Sequence, residues 1–208
     1  MEGMFVKKMA VYCGASLGNE PIYQQAAVAL AAWMKENHYD LVYGGGNVGL
    51  MGAVADTLLA EGGEVIGVMP TFLMEREIAH NGITKMHTVS DMHARKKKMI
   101  ELADVYLALP GGPGTLEEIS EVISWGRVGE HMNPCILYNV NGYYDLLAAF
   151  FDKMVETNFL TAADRAKIFI SDSLEEIGAF IDSYEPPMIR PVSYTHLTLP
   201  TTQQLCRS

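Results

Sequence analysis

Two stretches of this sequence carry residue types suited to chemistry on an anion. The first is Pro110-Gly111-Gly112-Pro113-Gly114-Thr115-Leu116-Glu117-Glu118. Glycines let the backbone turn sharply and let its amides approach a ligand with no Cβ in the way. A helix that starts at such a turn adds free N–H groups and a partial positive charge, a setting that suits phosphate. Thr115 reads as the N-cap of that helix, and Glu118 completes a Thr-x-x-Glu capping box. Glu118 therefore has two readings: a local hydrogen bond back to the Thr115 amide, or a carboxylate beside a phosphate cradle. The segment Ser173-Leu174-Glu175-Glu176 is a second capping box with no glycine loop before it, and there the local reading suffices.

The second stretch is Met92-His93-Ala94-Arg95-Lys96-Lys97-Lys98-Met99. At ~100° per residue, Met92, Met99, Ile100, Leu102 and Ala103 form one apolar stripe of a helix. Arg95 and Lys96 fall inside the stripe, whereas Lys97 and Lys98 fall outside it. Cations on a buried face need anionic partners, because an unpaired buried charge costs several kcal/mol. A ligand phosphate or an acid such as Glu118 would serve. The plainer reading packs the stems on the core and sends the heads to water.

A further glycine cluster, Gly44-Gly45-Gly46-Asn47-Val48-Gly49, is a candidate phosphate or ribose loop. It matches GxGxxG at Gly44, Gly46 and Gly49. The dinucleotide fingerprint also asks for an acidic residue at the end of the next strand, where Val68-Met69-Pro70 stands. No Gly-Lys-Ser/Thr follows, so a P-loop is not expected either. Leu41 to Gly46 and Leu107 to Gly112 repeat one design of strand, glycine cluster and helix. Two such loops would frame one site.

The elements that must position these residues alternate along the chain. Strand-length apolar runs fall at 9–13, 40–43, 64–69, 85–89, 105–109, 135–139 and 167–170. Helix-period segments fall at 22–37, 50–61, 92–103, 116–128, 143–157 and 174–184. Strands poor in polar residues imply a sheet covered on both faces. Alternation implies right-handed parallel crossovers. The expected fold is α/β, a doubly wound Rossmann-like parallel sheet in three αβα layers. Its ligand would lie beyond the carboxyl ends of the strands. Residues 1–191 are expected to form a single nucleotide-binding domain. Residues 192–208 follow a proline-rich stretch, lack helical period, and resemble translated adapter sequence more than a protein element.

Composition narrows the function. The 208 residues are 49% apolar and 19% charged, as in a globular protein, with a net charge of −10 that opposes binding to nucleic acid or an anionic membrane. No apolar run of ~18 residues or signal-peptide pattern is present, so a cytoplasmic protein is expected. Cys13, Cys135 and Cys206 form no CxxC pair, and Cys13 and Cys135 lie in apolar runs as small hydrophobes. The histidines are scattered without HxxxH or HExxH spacing, so no metal is expected. No lysine stands out with an acidic partner for a pyridine nitrogen, which disfavours a pyridoxal-phosphate enzyme. No cofactor is expected.

Taken together, the Met-His-x-Arg-Lys helix, the GGGNVGLMG loop and the PGGPGTLEE loop resemble the LONELY GUY family of phosphoribohydrolases. The opening Val11-Tyr12-Cys13-Gly14-Ala15-Ser16 and the later Asn139-Val140-Asn141-Gly142-Tyr143-Tyr144-Asp145 share the resemblance. It implies hydrolysis of the N-glycosidic bond of adenine-type nucleoside 5′-monophosphates to free base and ribose 5-phosphate. It implies Arg95 and Glu118 as the essential pair, with Arg95 holding the Glu118 carboxylate and the phosphate in register. It implies nucleotide contacts at Glu77, Lys96, Gly112, Pro113, Gly114, Thr115, Leu116, Glu117 and Ser124. Pro113 and Ser124 depart from the family's usual residues. A homodimer is implied too, for which Ile119, Val122, Ile123 and Trp125 offer apolar surface. The alternative is a non-catalytic carrier of a nucleotide or molybdenum cofactor on a related fold.

Overall fold

A computed structural model describes residues 6–74 and 79–186. The elements are β1 (Lys7–Tyr12), α1 (Pro21–Glu36), β2 (Tyr39–Tyr43), α2 (Gly49–Ala60), β3 (Val65–Pro70), α3 (Thr71–Met74), β4 (Lys85–Val89) and α4 (Met92–Leu102). They continue with β5 (Val105–Ala108), α5 (Pro113–Val128), β6 (Cys135–Tyr138), α6 (Asp145–Glu156), α7 (Ala162–Arg165), β7 (Ile168–Ser171) and α8 (Leu174–Asp182). Each expected strand and long helix is present, most ends moving by one or two residues. The short helices α3 and α7 were not expected, because four residues are too few to show a helical period.

All strand pairs are parallel, and the seven-stranded sheet runs β4-β3-β2-β1-β5-β6-β7. Side chains alternate between its faces. Met9 and Val11 of β1 pack with α1, α2 and α8, whereas Ala10 and Tyr12 pack with α4, α5 and α6. The molecule is a doubly wound, three-layer α/β protein. No helix among the described residues is long and apolar enough to cross a membrane. Residues 192–208, with Cys206, lie outside the described residues.

The strand order reverses at β1, which has β2 on one side and β5 on the other. The loops leaving β1 and β5 diverge there and open a crevice at the carboxyl ends of the strands. Backbone bonds tie the two loops at their root: Leu109 N–H donates to Tyr12 O at 2.9 Å and Gly14 N–H to Pro110 O at 3.1 Å. The start of α2 is drawn against the same turn, with Leu50 N–H donating to Gly14 O at 3.1 Å. This close approach requires glycine at position 49. Its φ is +62°, and a Cβ there would fall 2.3 Å from the Ala15 carbonyl carbon.

Two capping expectations need correction. Helix α5 starts at Pro113 with Gly112 as its N-cap, so Thr115 lies inside the first turn and the Thr115–Glu118 box does not form. Proline fixes φ near the helical value and lacks an N–H that the first turn could not bond anyway, so it begins the helix. At α8 the Ser173 hydroxyl does accept Glu176 N–H at 3.3 Å. The returning arm runs through a relay: Ser171 Oγ donates to Glu176 Oε2 at 2.6 Å and accepts Ser173 N–H at 3.0 Å.

Gly49→Ala is expected to destabilise the protein. Strain in the left-handed region and the contact with Ala15 together cost about 2 kcal/mol or more, which lowers Tm by roughly 4–8 °C for a chain of this size. A calorimetric melt of the variant against the native protein checks this.

Candidate active site

A cleft of about 260 Å³ opens at the reversal point. The end of β1, the start of α4 and the start of α5 surround it. Helix α4 is capped by Asp91, whose carboxylate accepts Ala94 N–H at 2.9 Å. One turn further, Arg95 reaches across to the loop after β2, where Nη2 donates to Gly44 O at 3.3 Å. A Cβ on Gly44 would lie 1.9 Å from Nη2, so this glycine makes room for the guanidinium. Arg95 is 8% exposed, yet its Nε has no hydrogen-bond partner among the described residues. A guanidinium carries five donors, and this one lines the cleft with a single well-formed bond to the chain's oxygens.

The next residue points elsewhere. Lys96 is also 8% exposed, and its ammonium sits 2.5 Å from Glu117 Oε1 and 3.0 Å from Glu121 Oε2 on α5. Burial opposes its charge, but these hydrogen bonds and neighbouring charges prevail and hold its pKa above the ordinary value. Lys97 and Lys98 extend toward solvent, with side chains 69% and 36% exposed. The stripe reading of this helix thus holds, and the two buried cations have different surroundings.

Glu118 is half-buried and lines the same cleft as Arg95. Burial pushes its carboxyl up from 4.5 to about 7; Arg95 pulls against that shift and Glu117 adds to it. The two side chains form no ion pair in this structure, and Arg95 acts on the Glu118 carboxyl through charge. Tyr12 and Cys13 line the same cleft. Burial, followed by the Glu118 charge, drives both of their pKa values up, so both stay protonated at neutral pH.

The start of α5 supplies the anion-binding edge. Its N-cap Gly112 gives no side-chain hydrogen bond, which leaves the first-turn amides of Gly114 and Thr115 uncapped. No atom lies within 4 Å of where a Cβ would stand on Gly112 or Gly114. Packing among the described residues does not require glycine at either position, and the backbone there is open to approach. Gly111 differs, since its Cβ would fall 2.2 Å from Thr115 Oγ1.

Of the residues expected at the site, Arg95, Glu117, Glu118, Gly112, Gly114, Thr115 and Gly44 line this cleft. Lys96, Pro113, Leu116 and Ser124 do not, and Leu116 and Ser124 face outward on α5. Glu77 lies outside the described residues. Gly45, Gly46 and Gly49 are turned to internal work. Gly45 O accepts His80 N–H at 2.9 Å, Gly46 bridges to Ala79, and Gly49 docks on Ala15. Ile119, Val122 and Ile123 are spent in the chain's own core, and Trp125 packs against it. The sequence reading assigned no site role to Tyr12, Cys13, Met51, Met92 or Met99, which also line the cleft. For Tyr12 and Cys13 the available signal was their place at the end of the strand where the order reverses.

The fold and the cleft define a doubly wound α/β protein whose candidate site sits at the topological switch point, with one buried arginine and one carboxyl of raised pKa lining the same cleft. The chain belongs to the LONELY GUY (LOG) family. A family described as "Possible lysine decarboxylase" matches residues 51–180. Cytokinin riboside 5′-monophosphate phosphoribohydrolase LOG7 of Arabidopsis thaliana is 45% identical over 180 residues, covering 86% of this chain and 83% of that protein. The probable enzyme of the same activity LOGL2 of Oryza sativa subsp. japonica is 43% identical, covering 90% and 77%. Among solved structures, the molybdenum cofactor carrier protein of Chlamydomonas reinhardtii superposes with a TM-score of 0.66 at 17% identity, covering 86% and 97%. That likeness is one of fold alone.

The raised Glu118 pKa has a consequence for stability. In the unfolded chain the carboxyl titrates near 4.5, and in the fold near 7. The native state therefore holds the proton more tightly, and stability falls as pH rises from about 4.5 through 7. Glu118→Gln cannot ionise. Its Tm is expected to exceed that of the native protein at pH 8, with the difference shrinking toward pH 5, as melts across this range would show.

Proposed function

We propose that this protein hydrolyses the N-glycosidic bond of adenine-type nucleoside 5′-monophosphates, the class that includes cytokinin ribotides, to free base and ribose 5-phosphate. The observation that carries the proposal is a buried guanidinium with an unpartnered Nε and a carboxyl of raised pKa lining one cleft, beside the uncapped start of α5. The activity named for relatives at 43–45% identity supports it.

In this reading the phosphate lies on the amides of Gly112, Gly114 and Thr115 and draws on the positive end of the α5 dipole. Arg95 meets the phosphate or ribose oxygens with its free donors. As the bond from the anomeric carbon to the base nitrogen breaks, positive charge grows on the sugar. Ionised Glu118 stabilises that charge and takes a proton from the attacking water. The water oxygen becomes the anomeric hydroxyl, and the base leaves with the bonding pair and gains a proton. The grip on the phosphate positions the sugar for the reaction. Lys96 serves the site by fixing Glu117 and Glu121, the other carboxylates that Glu118 feels, while Glu77 and Ser124 are nucleotide contacts on the family's pattern.

The proposal includes a cytoplasmic homodimer without nucleic-acid partners, consistent with the net charge of −10. With the inward face of α5 spent in the core, a partner would cover residues such as Leu116 and Val128, which are 44% and 68% exposed.

Incubation with adenosine monophosphate should release adenine, detected by chromatography, whereas adenosine should release far less. Release should rise with pH through about 7 as Glu118 ionises. Glu118→Gln should lose most of it, and near-normal turnover by that variant would refute the role given to the carboxylate. Gly44→Ala should displace the Arg95 guanidinium, and a shift of about 1 Å at such a position lowers kcat/KM by roughly a hundredfold.

A further inference from the structure

The Asn139–Asp145 segment makes none of the chemistry above, although the sequence marks it as distinctive. We propose that Tyr143, which lines a neighbouring cavity with Gly111 and Gly112, is a positioning residue that sets the anion-binding turn. The inference rests on the reading of the cleft as a phosphate site.

The turn after β5 has three successive carbonyls anchored by hydrogen bonds. Leu109 O accepts the Tyr144 hydroxyl at 2.7 Å, Pro110 O accepts Gly14 N–H at 3.1 Å, and Gly111 O accepts the Tyr143 hydroxyl at 2.6 Å. In a planar trans peptide the C=O and the following N–H point in opposite directions. Fixing the Pro110 carbonyl therefore aims the Gly111 N–H, and fixing the Gly111 carbonyl aims the Gly112 N–H away from Tyr143. Gly112 lines the cleft that holds Arg95 and Glu118, and no Cβ shields its amide. The Tyr143 hydroxyl thus determines whether the Gly112 amide is ready to join those of Gly114 and Thr115. Without it, the 111–112 peptide is free to rotate, because both residues are glycine.

The local structure that delivers Tyr143 is specific. Asn141 and Gly142 both adopt left-handed backbone, with φ of 53° and 68°. Asn139 clamps the turn, its amide donating to Asp145 Oδ1 at 2.8 Å and its oxygen accepting Tyr144 N–H at 2.7 Å. The Tyr143 ring is held edge-on by Tyr23 and Tyr144, with centroids 6.0 and 5.0 Å away. Yet Tyr143 is 45% exposed. Packing alone would be served as well by phenylalanine, so the hydroxyl is present for the Gly111 carbonyl.

The test is Tyr143→Phe in the full chain, which keeps the ring and removes only the hydroxyl. Kinetics with adenosine monophosphate, and titration calorimetry with inorganic phosphate and with ribose 5-phosphate, read the effect. Loss of one neutral hydrogen bond at the turn should raise KM and both dissociation constants about three- to tenfold. Turnover at saturation should stay within about twofold, and Tm within about 2 °C, as for an exposed side chain. Unchanged affinity for both phosphates would overturn the inference, as would a loss of kcat at constant KM. A fall in Tm of more than about 5 °C would assign the hydroxyl to the fold and equally overturn it. If the native protein binds phosphate but releases no adenine, the hydrolase reading fails while the affinity comparison still decides the role of Tyr143. If it binds neither phosphate, both fail.

Discussion

The structure depends on where one arginine is allowed to lie. Arg95 is buried against a glycine carbonyl, and no carboxylate of the described chain pairs with it. A buried cation left in that state is costly unless something neutralises it. In the proposed function, the phosphate of the substrate supplies that neutralising charge from the cleft. The sheet order, the cap at Asp91 and the absent Cβ at Gly44 all serve to bring the guanidinium to this spot and leave its remaining donors open. On that proposal, a protein of net negative charge can take a phosphate ester because the relevant field is local, set by one guanidinium and one helix start that line the same cleft.

Consecutive residues divide the labour. On α4, Arg95 faces the cleft and Lys96 faces α5. On α5, Glu118 faces the cleft, and Glu117 reaches Lys96 together with Glu121, one turn further on. Successive helix positions differ by ~100°, so adjacent charges can serve different neighbours. Lys96 joins the two helices and neutralises the carboxylates flanking Glu118. What remains on Glu118 is mainly the cost of burial, and its pKa settles near 7, where a carboxyl can exchange protons with water under ordinary conditions. A lysine that ties helices together therefore acts on the chemistry through the electrostatics of its neighbours.

Glycine plays two opposed parts. At positions 44, 49 and 111 it admits other atoms of the same chain: a guanidinium, a backbone turn and a threonine hydroxyl. At 112 and 114 it admits nothing the chain supplies. The two glycine clusters look alike on paper, but one is a packing joint and the other is an open edge. Tyrosines 143 and 144 hold the carbonyls of the open edge, so that flexibility at the glycines does not become disorder in the amides.

The sequence by itself determined the layered α/β fold, because alternating short apolar runs and helix-period segments admit few other arrangements. It also determined which cations of α4 are buried, since helical period assigns Arg95 and Lys96 to the apolar stripe whatever they meet there. Tertiary structure alone decided what they meet. Lys96 lies about a score of positions from its acids and Arg95 some fifty from Gly44, and no local pattern encodes such partners. The cap of α5 also escaped the local reading, because a proline that begins a helix overrides a threonine able to cap it. The glycine cluster after β2 and the strand end at Cys13 show the same limit. A motif states what a backbone can do, but only the strands and helices packed around it determine whether a ligand or the protein itself occupies the space.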